Sequence, residues 1–195
     1  MISADYRVCL DACVLANQSV ADLLFRLAER PRLYSPIFSE QILDEVRHTH
    51  LEKLPRRWPE DLADYWQAKV RRAFPEAIVT GHEKLMPLLE VDPDDQHVLA
   101  AAIRGEARLI VTFNLKDFPA DGLREWDVEA VHPQDYLVTL YDMRPDVVLS
   151  KIYAIASKCG QEPLERLLVL RKSVPQFAEH VATSLDWELP PRAQR

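Results

Sequence analysis

VDPDDQHVLAAAIRGEARLIVTFNLKDFP, residues 91–119, sets Asp92, Asp94 and Asp95 ahead of an alanine-rich run and Asp117 shortly after an apolar one. The pattern predicts a helix from Pro93 to about Arg104, with Asp92 as its N-cap, followed by a strand over 108–113. Carboxylates in a first helical turn are favoured by the positive end of the helix dipole, which accounts for Asp92 and Asp94 without any function. Asp95 and Asp117 stand at the start of the helix and just past the strand. Carboxylates gathered at such ends repel one another unless a proton or a cation neutralises them.

The same alternation runs outward from this stretch. The run RVCL (7–10) predicts a first strand that ends at Asp11, and Val20, Leu23, Leu24, Leu27 and Ala28 follow helical spacing until Pro31. RLYSP (32–36) predicts a second strand. Ser39 suits an N-cap, with Glu40 in the first turn and Ile42, Val46 and Thr49 on one face of the next helix. Pro59, Glu60 and Asp61 open another helix with an inward stripe of Leu62, Trp66, Val70 and Ala73, and VEAV (128–131) predicts a last strand. Strands alternating with helices predict an α/β domain around a central parallel sheet, whose ligands collect at the carboxyl ends of the strands. Beyond Pro133 only helices are expected, over 135–141, 145–158, 163–172 and 175–185, with Gly160 just past a helix end. The expected division is a domain over 1–135 and a small all-helical extension over 136–195, too short to stand alone.

At 195 residues, 48% of them hydrophobic, the chain suffices for one good core. No basic leader precedes an apolar run, and no apolar run approaches the ~18 residues of a membrane span, so a cytoplasmic protein is expected. Cys9, Cys13 and Cys159 form no CxxC pair and are expected as free thiols in a reducing compartment. Net charge is −7 and uneven: residues 1–135 carry 16 Lys/Arg against 24 Asp/Glu, a balance of −8, and residues 136–195 carry 8 against 7, a balance of +1. Such a surface does not suit a non-specific nucleic-acid binder, and contact with a phosphate backbone would need dedicated cations. With only four glycines and no GxGxxG or GxxxxGK[ST], a phosphate-cradling loop is nearly excluded. Ser35 and Ser39 lack a nucleophile turn, His48 and His50 at i, i+2 face different sides of a helix, and His97 reads as a partly exposed neighbour of Asp95.

If the strands are parallel and adjacent, Asp11, Asp95, Asn114 and Asp117 meet at one edge, and Glu45 leans in from its helix. A hard divalent ion, Mg²⁺ or Mn²⁺, is the natural neutraliser of such an oxygen-rich set.

The segments LDACVL, ILDEV, DPDDQHVLAAAI and LIVTFNLKDFP, in this order, resemble the PIN domain, with the closest likeness to the VapC-like ribonucleases of prokaryotic toxin–antitoxin modules. The likeness covers roughly residues 6–135. It implies a three-layer α/β sandwich and a metal-dependent endoribonuclease that leaves a 5′-phosphate and a 3′-hydroxyl. It further implies the toxin role in a type II pair, with RNA as substrate and a cognate antitoxin as partner. By the same resemblance Asp11, Asp95 and Asp117 bind Mg²⁺ or Mn²⁺, Glu45 completes the catalytic set, and Thr112 positions a ligand. Asn114 stands where many members carry Asp, so the fourth position is shared by Asn114 and Asp117. Cys13 stands where the family often has Asn or Ser, a departure expected to remove a polar contact. Arg47 and Lys116 are the local candidates for phosphate contact. Arg56, Arg57, Arg71 and Arg72 around Trp58 and Trp66 make either a basic, aromatic rim for single-stranded RNA or a solvated face with its tryptophans in the core. The helical extension would cover an apolar face, build a homodimer or hold the antitoxin. The alternative function is a catalytically weak PIN-like module that binds RNA or protein, motivated by Asn114 and Cys13. A HAD-like phosphotransferase would need Asp where Cys13 stands, and a receiver domain lacks its phospho-acceptor Asp and its Lys.

Overall fold

A computed structural model describes residues 6–191. In chain order the elements are β1 (Arg7–Leu10), α1 (Ala12–Leu15), α2 (Gln18–Ala28), β2 (Ser35–Ser39), α3 (Glu40–His48), α4 (Glu60–Ala73), β3 (Ile78–Val79), α5 (Gln96–Arg104), β4 (Leu109–Val111), α6 (Ala120–Arg124) and β5 (Glu129–Val131). Four further helices close the chain: α7 (Pro133–Met143), α8 (Pro145–Lys158), α9 (Pro163–Arg171) and α10 (Pro175–Ser184). The strands form one five-stranded sheet in the order β3-β2-β1-β4-β5, and every pairing is parallel.

Alternation along β2 shows the two covered faces of this sheet. Phe38 meets Phe25 of α2 edge-on, with ring centroids 6.4 Å apart. Its neighbour Ile37 points the other way, toward Gly105 at the end of α5. The Cys9 thiol also faces α5, donating to the Val98 carbonyl at 3.6 Å. Strands covered on both faces read as short continuous apolar runs, as VCL of β1 and LIV of β4 do. Helix, sheet and helix thus form the expected three-layer α/β sandwich.

Several expected elements move when tertiary contacts are present. The second strand is Ser35–Ser39, not 32–36, because its register is set by β1, with Arg7 opposite Ser35 and Cys9 opposite Ile37. Pro36 is tolerated because β3 joins only at Phe38 and Ser39, beyond the proline's missing N–H. In α4 the inward residues are Ala63, Gln67 and Val70, while Leu62 and Ala73 are exposed. Gln67 earns its buried place by donating to the Leu43 carbonyl at 2.8 Å. The expected helix at Pro93 begins later, at Gln96, since residues 93–95 form a turn in which Asp92 Oδ1 accepts from Asp94 N at 3.0 Å. The two-residue β3 and the short α6 had no periodicity long enough to be read from the sequence.

The C-terminal helices pack onto the rest of the molecule. Helix α8 lies against α2, α9 against α2 and α8, and α10 against α7 and α9. Ile152, Ile155, Leu167, Leu170, Phe177 and Val181 are buried in the same hydrophobic core as the residues of α2. Arg166 donates to the Ser19 carbonyl at 3.1 Å, Lys151 to the Arg30 carbonyl at 3.0 Å, and Asn17 Nδ2 to Ser173 Oγ at 2.7 Å. Among the described residues no helix is long and apolar enough to cross a membrane.

Gly105 links α5 to β4 and admits no side chain. A Cβ there would stand 2.6 Å from Ile37 Cγ2 and 3.1 Å from both the Ala101 carbonyl oxygen and Val79 Cγ1. Because Ile37 is β-branched and held in a strand, it has little room to yield. Gly105→Ala is therefore expected to lower unfolding free energy by about 1–3 kcal/mol, measured by urea denaturation. An unchanged midpoint would show that the α5–β4 junction has slack.

Candidate active site

In the order β3-β2-β1-β4-β5 the chain winds outward in both directions from β1 and β4, so the switch point lies between these two strands. Leu10 and Val111 pair in register, and Asp11 N donates to the Val111 carbonyl at 3.1 Å. The next residue on each chain is therefore Asp11 or Thr112, side by side. Thr112 Oγ1 donates to Asp11 Oδ2 at 2.6 Å, and Cys13 Sγ donates to the same oxygen at 2.9 Å. Both donors reach one oxygen, so neither engages the second carboxylate oxygen of Asp11. Asn114 N donates to Thr112 Oγ1 at 2.9 Å and Phe113 N to Cys13 Sγ at 3.3 Å, fixing both donors. Burial, then the Asp11 charge and the hydrogen bond to it, push the Cys13 thiol up to about 12, so it keeps its proton and remains a donor. The polar contact expected to be lost at Cys13 is thus retained: sulfur replaces the amide or hydroxyl.

Asp95 is the N-cap residue of α5, yet its side chain makes no capping hydrogen bond. Burial, followed by the charges of Asp11, Asp117 and Asp92, raises its carboxyl to about 6, with His97 opposing. These acids are therefore within electrostatic reach of one another. Glu45 enters from α3, with Oε1 3.2 Å from His97 Nε2. His97 is only 1% exposed, which corrects the expectation of a partly exposed neighbour. Burial lowers the imidazole's affinity for a proton, but the Glu45 carboxylate beside it, with smaller contributions from Asp94 and Asp11, leaves its pKa above the ordinary value.

Asp11, Glu45, Asp95 and Asn114 line one open cleft of about 840 Å³, together with His48 and Lys53. Asp117 sits beside it on the 3₁₀ turn Leu115–Asp117, and Lys116 Nζ lies 3.8 Å from Asp117 Oδ1 while remaining largely exposed. Arg47 does not face a substrate: it is paired with Glu60 at 2.6 Å and Asp64 at 2.7 Å, bracing α4 against α3. Arg71 is paired with Glu40 at 2.6 Å and Arg57 with Glu52 at 3.4 Å. Trp58 stacks on His50 with centroids 3.9 Å apart, and Trp66 packs near His50 and Phe25. Trp66 thus packs against the core and Trp58 is half-buried against His50, while two of the four arginines expected around them, Arg57 and Arg71, are engaged by carboxylates. Lys53 escaped the sequence reading because a π-helical turn, Thr49–Lys53, follows α3 and breaks the helical phase that would have placed it. His97 was missed because nothing in the sequence marks which residue of α5 meets α3. Among the described residues, no three His, Cys, Asp or Glu side chains stand close enough together to enclose a metal ion as positioned.

The family profile of the PIN domain matches residues 5–116. The chain belongs to the PIN domain family. The Mycobacterium tuberculosis (strain ATCC 25618 / H37Rv) protein VapC50, named as a ribonuclease, is 34% identical to it over 128 residues, covering 62% of this chain and 75% of that protein. No solved structure matches the chain.

The acidic edge of this PIN domain has a measurable electrostatic cost. The folded pKa of Asp95, about 6, lies above the value of about 3.9 for an unperturbed Asp. Its ionisation therefore opposes folding. The stability associated with this group is fully present below about pH 4 and is lost as pH rises through about 6. In the presence of a chelator, Asp95→Asn is expected to raise unfolding free energy at pH 7.5 by about 1 kcal/mol, allowing for screening of a partly exposed carboxylate. The gain should fade toward pH 4. Urea melts at the two pH values test this, and an equal effect at both would remove charge repulsion as the cause.

Proposed function

We propose that this PIN domain is a metal-dependent endoribonuclease of the cytoplasm and the toxin of a type II toxin–antitoxin pair. The observation that carries the reading is the convergence of Asp11, Glu45, Asp95 and Asn114 on one open cleft beyond the carboxyl ends of the paired strands β1 and β4. Likeness to a relative named as a ribonuclease supports the same chemistry. The donor set is all oxygen, which suits Mg²⁺ or Mn²⁺ rather than a softer ion. Asp11, Asp95 and Asp117 would hold the ion and Glu45 would complete the set, with Asn114 beside them. When bound, such an ion lowers the pKa of water and offsets charge on the phosphoryl oxygens.

The chain's own residues supply orientation. Thr112 and Cys13 hold Asp11 by one oxygen, so the other is presented in a fixed direction. Asp95 is free for the cleft because it caps nothing. Lys53 takes the phosphate-binding role first expected of Arg47, and exposed Lys116 remains a second cation near the acids. An acidic cleft of this kind also suits a basic arm of an antitoxin. Residues 1–135 would form the nuclease domain, with 136–195 as its helical buttress. A second reading, a PIN-like module that binds RNA or protein with little catalysis, is favoured by the absence of three converged donors among the described residues.

Partner-free protein incubated with a structured RNA pool separates the two readings. Cleavage is expected with Mg²⁺ or Mn²⁺, is expected to stop in EDTA, and is expected to fall in Asp11→Asn to the EDTA level. Lys53→Ala is expected to raise KM about tenfold, as the loss of one charge-assisted phosphate contact predicts, with kcat nearly unchanged. Cleavage that survives EDTA or Asp11→Asn would sink the nuclease assignment. RNA binding without cleavage under any condition would leave the binding module.

A further inference from the structure

Glu45 is the one cleft carboxylate that comes from the middle of a helix, and its side chain is 44% exposed. A glutamate in that setting has several rotamers available, and only some direct the carboxylate into the cleft. The group nearest to it is an imidazole with almost no exposure. His97 lies on α5, two residues after Asp95, and its Nε2 is 3.2 Å from Glu45 Oε1. Neither ring nitrogen has a well-aligned hydrogen-bond partner, so a buried imidazole is left facing the Glu45 carboxylate across the contact of α5 with α3. Val98 and Leu99, both fully buried, seat this turn of the helix against the core. The first residues of α5 therefore carry a cleft carboxylate and, two positions on, the imidazole that meets another.

We infer that His97 is a positioning residue that holds the Glu45 carboxylate in the cleft beside Asp95; this role rests on the nuclease reading. In this role Nε2–H donates and Glu45 Oε1 accepts across the 3.2 Å between them, an alignment that a small turn of the partly exposed carboxylate completes. Carboxylates that serve a metal or a hydrolytic water are commonly held by such an outer hydrogen bond, and its loss costs about 10–100-fold in affinity or activity. The competing role for His97 is packing alone. For packing, leucine fills the same buried space without polar atoms to satisfy, so it should serve at least as well as glutamine. For positioning, glutamine keeps an N–H donor and leucine does not.

His97→Leu and His97→Gln are compared with the wild type by RNA cleavage, by Mn²⁺ titration calorimetry and by thermal melting. The expected result is a loss of about 10–100-fold in kcat or Mn²⁺ affinity for His97→Leu, with KM for RNA within about threefold. His97→Gln should recover most of that loss even though it melts no higher than the leucine variant. Glu45→Gln keeps an oxygen acceptor for Nε2–H but removes the carboxylate charge, so its loss sets the upper limit expected of His97→Leu, and a larger loss in His97→Leu would overturn positioning in favour of disturbed packing. Full activity and Mn²⁺ affinity in His97→Leu, or losses that simply follow melting temperature in both variants, would overturn the positioning role alone. Wild-type protein that neither binds Mn²⁺ nor cleaves RNA would remove the nuclease reading, and this role with it.

Discussion

The hydrogen bond from Thr112 Oγ1 to Asp11 Oδ2, 2.6 Å long, joins residues 101 apart in sequence, and the cleft is organised around it. It exists because β1 and β4 pair in parallel and end together, so that the residues following Leu10 and Val111 come side by side. Register matters more here than any single contact. A slip of one residue in either strand would turn Asp11 or Thr112 to the opposite face of the sheet. Gly105 bears on the same register, since it lets the end of α5 approach Ile37 and delivers the chain into β4 at the right height. The Cys13 thiol then closes the arrangement, buried enough to stay protonated and near enough to donate.

Charge is distributed so that the cleft keeps its acidity. Arg47, Arg57 and Arg71 are each paired with carboxylates on or near α3 and α4. Solvent-screened pairs of this kind contribute little to stability, so their main consequence is geometric. They draw guanidinium groups away from the acids, whose mutual repulsion then favours uptake of a proton or an added cation. Lys53 differs, because the π-helical turn after α3 carries it to the lining of the cleft. The protein can thus be acidic overall and still offer a cation on the same cleft as its acids.

The C-terminal helices reach this region through one residue. Asn17 lines the cleft, caps α2 by accepting from Val20 N, and donates to Ser173 Oγ in the segment between α9 and α10. The apolar faces of α8 and α9 cover α2, which in turn packs on β2. A helical segment without catalytic candidates of its own therefore helps to set the position of one wall of the cleft.

The sequence by itself determined the alternation of strands and helices, the parallel α/β architecture, the Ser39 cap and the placing of acids at element ends. Each of these is a local matter: apolar period, proline positions and cap chemistry act within a few residues. The positions of Asp11, Glu45, Asp95 and Asn114 on one cleft also followed, because parallel strands put their carboxyl ends on one edge. Tertiary structure alone decided the rest. The range of β2 depends on which residues of β1 it meets, and the inward face of α4 depends on where α3 offers a carbonyl to Gln67. The withdrawal of Arg47, the arrival of Lys53 and the meeting of His97 with Glu45 all depend on distances between elements far apart in the chain. A side chain's residue type is local information, but its partner is chosen by packing, which no period of 2 or 3.6 encodes.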